Sequence, residues 1–156
     1  MAFFEWLQNT ALALKVGESW FQWVESAHVV FLAAVAGTIF IVDARLIGFA
    51  SGHLRISYVS QRLLPITWIA FVGAVITGGL LFMANAVGYI EKDPFLIKMG
   101  LLLIAGLNML YFQLVTWRGV ANWDTGRAAP AARLAGIISM ISWIGVIAFG
   151  RWIGFV

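Results

Sequence analysis

His28 lies in an otherwise apolar stretch, ESAHVVFLAAVAGTIFIVDARLIG (residues 25–48), with Glu25 one helical turn before it and Asp43 and Arg45 near the far end. An imidazole in such surroundings can ligate iron or copper through a neutral ring nitrogen, relay a proton, or simply hydrogen-bond across helices. The first two uses need partners from elsewhere in the chain. Lys98 and Arg151 are cations able to hold an anionic group, and Met83 and Met99 are soft thioethers suited to Cu(I). Two candidate sets follow. A cofactor set joins His28, Lys98, Arg151 and Glu25, with the histidine as axial ligand of a b-type haem and the cations on its propionates. A metal set joins His28, Met83 and Met99 around copper. The only other histidine, His53, falls in a loop at the opposite end of the span. A haem on His28 therefore takes Met83, Lys98 or water as its other ligand, or stays five-coordinate.

Other chemistries find no foothold. With Cys 0, the chain has no disulfide, thiolate metal site or thiol nucleophile. No P-loop, dinucleotide fingerprint, His-Glu-x-x-His or nucleophile elbow is present. The net charge of +3 is spread over loop arginines rather than gathered in a basic tract, which argues against nucleic acid as a partner.

The elements that position these residues are set by composition. Hydrophobic residues make up 62%, charged residues 11%, and the mean hydropathy is +0.94, values that place the chain in a lipid bilayer. Four windows of the roughly 20 apolar residues needed to span a bilayer lie near 20–47, 63–88, 94–117 and 131–153. The expected fold is all-α: a single domain over residues 1–156, forming a polytopic membrane four-helix bundle. Asp93 is a natural N-cap with Pro94 behind it, and Pro130 opens the fourth helix in the same way. Phe3, Leu7, Ala11 and Leu14 fall on one stripe, which predicts an amphipathic helix lying in the interface before the first span.

With an even number of spans, the first and third loops share a side. They and their helix ends hold Arg45, Arg55, Arg62, Arg118, Arg127 and Arg133. The positive-inside rule then places both termini outside the cytoplasm. Counting the helical rise from mid-span puts His28 about 9 Å outward of the midplane, Lys98, Met83 and Met99 near 11–12 Å, and Arg151 near 13 Å. Four helices thus bring polar or soft side chains to one height, where Glu25 is placed to pair with Lys98 or Arg151. At the inner end, Asp43 is expected to be held by Arg118 or Arg62, a packing role shared with Arg45. Asn108 and Gln113 are expected to hydrogen-bond between helices. Ala33 with Gly37, Ala74 with Gly78, and Gly150 with Gly154 offer close-approach faces, one of them available to an oligomer.

In order along the chain, AHVVFLAAVAGTIFIVDARLIG, QRLLPITW, GGLLFMA, DPFLIKMGLLLIAGLN and GRWIGF resemble a family of uncharacterised bacterial four-helix membrane proteins. The histidine of the first span and the lysine opening the third are more remotely similar to CopD copper-resistance proteins and HemJ-type protoporphyrinogen oxidases. That resemblance implies a bacterial inner-membrane protein with a haem or copper role for His28 and Lys98 as its partner. Gln113 stands where the resemblance implies a histidine. Three functions follow as expectations: a haem- or metal-binding redox protein, a copper-handling protein, and a non-catalytic accessory or oligomeric scaffold subunit of a membrane complex.

Overall fold

Each long apolar window folds as one helix, because within a bilayer a lone segment can pair its own N–H and C=O groups only in that way. A computed structural model describes residues 1–49 and 54–155. His53 lies outside the described residues. The chain runs through α1 (Ala2–Gln8), α2 (Ala11–Lys15), a π-helical turn (Val16–Trp20), α3 (Phe21–Ile47), α4 (Ile56–Ala84), α5 (Ala86–Ile90), α6 (Asp93–Leu114) and α7 (Pro130–Trp152). Four segments are long and apolar enough to cross a membrane: Ala11–Ile47, Ile56–Ala84, Asp93–Leu114 and Pro130–Phe155. The protein is an all-α membrane bundle.

Within it α3 is the central element, packed on α4 and on α7, while α6 packs mainly on α7. Apolar side chains from all four spans meet at Val35, Ala70, Ala105, Trp143 and Val146. Because lipid tails are as apolar as leucine, such contacts depend on close fit more than on escape from water. Two glycines make that fit possible. A Cβ on Gly73 would lie 2.6 Å from the Phe31 ring, and one on Gly145 would lie 2.7 Å from Leu101. Thr67 donates to Thr38 at 2.8 Å between α4 and α3, and Asn108 Nδ2 donates to the Ala135 carbonyl at 2.9 Å between α6 and α7. Outward faces carry Leu103, Leu107 and Leu110 on α6, the span with the smallest buried share.

Several local expectations are corrected. α4 begins at Ile56, ahead of the apolar window that opens near Leu63, and Asp124 of the distant loop caps it: the Ser57 N–H donates to Oδ1 at 2.7 Å and the Ser57 hydroxyl to Oδ2 at 2.8 Å. At its other end α4 stops at Ala84, and α5 follows after Asn85. Lys92, not Asp93, is the N-cap of α6, and Asp93 sits in the first turn with Pro94. The N-terminal stripe forms two short helices instead of one, since Thr10 accepts from the Ala13 N–H and restarts the helix. Phe3 and Leu14 remain exposed, as an interfacial face requires.

Asp124 provides a pH-dependent test. The Ser57 N–H, then its hydroxyl, and the nearby Arg55 and Arg45 hold its carboxyl below the ordinary carboxylate range. A depressed folded-state pKa means that the carboxylate's stabilisation is complete above its unfolded pKa of about 3.9 and fades as pH falls through the lower folded value. Asp124→Ala is expected to cost about 1 kcal/mol near neutrality by loss of the cap. Thermal melting should show the gap to the parent chain closing in acid, and a gap constant down to pH 2 would refute the capping account.

Candidate outer-half site

His28 is half-buried on the face of α3 that meets α4. Its Nδ1 lies 3.0 Å from the Thr77 hydroxyl oxygen, and the ring packs so closely over Gly78 that a Cβ there would come within 2.9 Å of Cε1. Thr77 has one hydroxyl proton, which points to the Gly73 carbonyl at 2.7 Å, as is usual for a threonine inside a helix. With the proton on that carbonyl the Thr77 oxygen accepts and His28 donates from Nδ1–H, the direction being set by the tautomer of the ring. In that tautomer Nε2 keeps its lone pair and makes no side-chain hydrogen bond among the described residues, and the Ala74 backbone is the further polar group close to the ring. A ring fixed through one nitrogen with the other open is the arrangement by which proteins orient a metal-ligating histidine.

Lys98 is the second half-buried basic group at this end of the bundle. It approaches from α6, running along Gly150 of α7, whose added Cβ would lie 3.6 Å from Nζ. The ammonium is near enough for its charge to be felt at the His28 ring. Neither group has an acidic partner among the described residues. Glu25, which was expected to pair with Lys98 or Arg151, is exposed and lies near Tyr89 instead. Burial first, and then that carboxylate, push the Tyr89 phenol above its ordinary range. Arg151 is also exposed, with its guanidinium 5.0 Å above the Phe155 ring.

Of the thioethers, Met83 is half-buried and Met99 is 48% exposed on the outside of α6. The described residues contain no group of three or more His, Cys, Asp or Glu side chains able to hold a metal ion. An apolar groove of about 380 Å³, lined by Trp20, Trp23, Val24, Ala27 and Thr77, opens toward lipid and reaches His28 through its partner Thr77. Above this level Phe82 stacks on Phe95 at 5.5 Å, with Phe4 and Tyr89 against it, and joins α1, α4, α5 and α6. That aromatic cluster escapes sequence reading because its members are far apart and have no shared period.

Thr77→Val isolates the orienting hydrogen bond. Interhelical bonds of this kind average about 0.6 kcal/mol, so the variant should melt close to the parent. Nitrogen NMR of labelled histidine should show the Nδ1–H tautomer in the parent and a mixture in the variant. An unchanged tautomer would mean that Thr77 does not orient the ring.

At the opposite end the polar residues are arranged differently from expectation. Asp43 is buried but faces α7, where Ser139 is its neighbour, and its Oδ2 has no hydrogen-bond partner among the described residues. Arg118 is exposed, and Arg62 lies over the Tyr58 ring at 5.6 Å, so neither holds Asp43. Packing around the α3–α7 contact supplies the register that the ion pair was expected to fix. Gln113 is likewise exposed and makes no interhelical bond. Arg45 is 2% exposed and binds backbone instead of a carboxylate: Nε donates to the Leu54 carbonyl at 2.8 Å, and Nη2 reaches the carbonyls of Gly126 at 3.3 Å and Asp124 at 3.5 Å.

Four apolar spans around a shared core define an integral membrane helical-bundle protein, with His28 and the Lys98 ammonium in one half of it. The chain belongs to a family of unknown function, DUF6644, which it matches over residues 3–156. No curated protein and no solved structure matches it.

Proposed function

We propose that this protein binds haem in the outer half of the bundle and serves a redox role in the bacterial inner membrane. The observation that carries the reading is the pairing of an imidazole held through Nδ1 by Thr77 with a half-buried ammonium, neither offset by an acid among the described residues. Such a pair suits a ligand that brings both a metal and carboxylates. The donor set also discriminates between metals. A bare ion needs three or four protein ligands, whereas a haem carries four nitrogens of its own and asks the protein for one. The exposure of Met99 to lipid gives the copper alternative less support.

His28 would hold the iron through Nε2, and Lys98 would bind a propionate. When bound, haem supplies one-electron chemistry. The residues' own contributions are orientation, charge and dryness: Thr77 holds the ring, Lys98 offsets anionic charge, and the apolar walls exclude water. The remote resemblance to CopD and HemJ-type proteins read from the sequence at His28 and Lys98 points the same way. The arginine-rich loops favour a topology with both termini outside the cytoplasm. The weakly buried α6 offers the face on which a second copy or a larger complex would pack.

The detergent-purified chain, incubated with haemin, should develop a Soret band that saturates at one haem per chain. Lys98→Gln should weaken the titration without abolishing it. A spectrum identical to that of free haemin in detergent would overturn the proposal.

A further inference from the structure

A second polar site lies at the other end of α3, 17 residues or about 25 Å along the helix from His28. A cleft of about 460 Å³ opens there between the end of α3 and the start of α7, lined by Arg45, Ile47, Gly48, Gly126, Arg127 and Arg133. Three of its six walls are guanidinium side chains, and no carboxylate is among them. Asp124, whose carbonyl meets Arg45, has its carboxylate committed to the Ser57 N–H and hydroxyl, and Asp43 faces Ser139 of α7.

Arg133 gives the clearest sign of an absent partner. Its Nε is fully buried and makes no hydrogen bond to the described residues, an arrangement that proteins rarely tolerate for a charged donor. The position compounds the cost. Arg133 stands in the first turn of α7, a 23-residue helix with no acid in that turn and no side-chain cap from Ala129. A cation at this end opposes the helix dipole, and an anion beside it would be favoured by both. Arg127 is exposed at the mouth, while Arg45 is held rigidly by three carbonyls at the base. Buried and exposed guanidinium groups around one cleft match the fork geometry with which arginine binds phosphate oxygens.

We infer that this cleft is a binding site for a phosphate group, either the headgroup phosphate of an anionic phospholipid or a free phosphate. It lies where α3 leaves and α7 enters the apolar zone, the level at which lipid headgroups stand. Occupancy would tie the two spans together at their shared end and satisfy Arg133. The inference is independent of any haem at His28.

Binding is measured by native mass spectrometry and by the shift in melting temperature of the detergent-purified full chain. The probes are dioleoylphosphatidylglycerol, dioleoylphosphatidylcholine and inorganic pyrophosphate, each tested on the parent, Arg127→Gln, Arg133→Gln and Arg62→Gln. The expected result is one saturable anionic ligand per chain, weakened about tenfold or more by Arg127→Gln and by Arg133→Gln and unchanged by Arg62→Gln. Preference for phosphatidylglycerol over both other probes identifies a lipid headgroup, and equal or better binding of pyrophosphate identifies a soluble phosphate. Circular dichroism melting of each variant without ligand separates lost binding from lost folding. Absence of saturable binding by either anion, or equal weakening by Arg62→Gln, would overturn the inference.

Discussion

Arg45→Ala is expected to destabilise the protein by about 2 kcal/mol or more, because three backbone carbonyls lose a charged donor at once and a buried side chain is removed. The guanidinium is 2% exposed and links three segments remote in sequence: the end of α3, the residue Leu54 leading into α4, and the Asp124–Gly126 turn that leads to α7. Of its contacts the Nε bond to Leu54, at 2.8 Å, is the strongest, and the two from Nη2 are longer. The same turn supplies the cap of α4, so its loosening also exposes the Ser57 N–H. Arg45→Lys should recover only part of the loss, since an ammonium cannot present the fork that spans these carbonyls. Arg62→Ala and Arg118→Ala, at exposed positions, should stay within about 0.5 kcal/mol of the parent. Reversible unfolding in mixed micelles measures all four variants. An Arg45→Ala penalty no larger than that of Arg118→Ala would show that the inner loops fold without this clamp.

Gly136→Leu should cost about 2–3 kcal/mol by overpacking the seam between α3 and α7. An added Cβ alone would sit 3.3 Å from Leu46 Cβ and 3.4 Å from the Asp43 carbonyl oxygen. An alanine there is already tight, and a leucine drives further carbons into the backbone of α3, which cannot yield as a side-chain tip can. Gly37→Leu and Gly106→Leu are the controls. Nothing lies within 4 Å of a Cβ at either position, so leucine gains helix propensity and meets only lipid. Unfolding of the three variants under one condition decides the matter. A Gly136→Leu protein as stable as Gly37→Leu would mean that the α3–α7 contact is looser than described.

These contrasts also show what could be read from the chain. Length and hydropathy were enough to locate four spans, and Pro130 marks the start of α7 because its fixed φ and missing N–H suit a first helical turn. The facing of each helix was not legible, since a span apolar on every side has no polar face to set its rotation. Hence Ala74 and Gly78 lie on the α3–α4 seam, whereas Ala33 and Gly37, with the same spacing, face outward. Gly136 follows Ala132 at that spacing too, and both are buried. Height along a helix is simpler, being a count of residues, and the common level of His28 and Lys98 followed from it. The partners were less accessible. Thr77 touches His28 across 49 residues, and Asp124 caps α4 across 67, separations at which no local pattern operates. Charge complementarity misled for Glu25 and Asp43, because Glu25 stays exposed near Tyr89 and Asp43 faces Ser139, and neither meets the nearest cations in height.

The central claim is that Nε2 of His28 is an open ligand position inside the bundle. Its most direct test is the haem content of the purified chain after reconstitution, compared between the parent and His28→Ala, with circular dichroism confirming that both are folded. The account predicts one haem per chain in the parent and almost none in a folded His28→Ala protein. Equal haem content in the two, with the same visible spectrum, would contradict it.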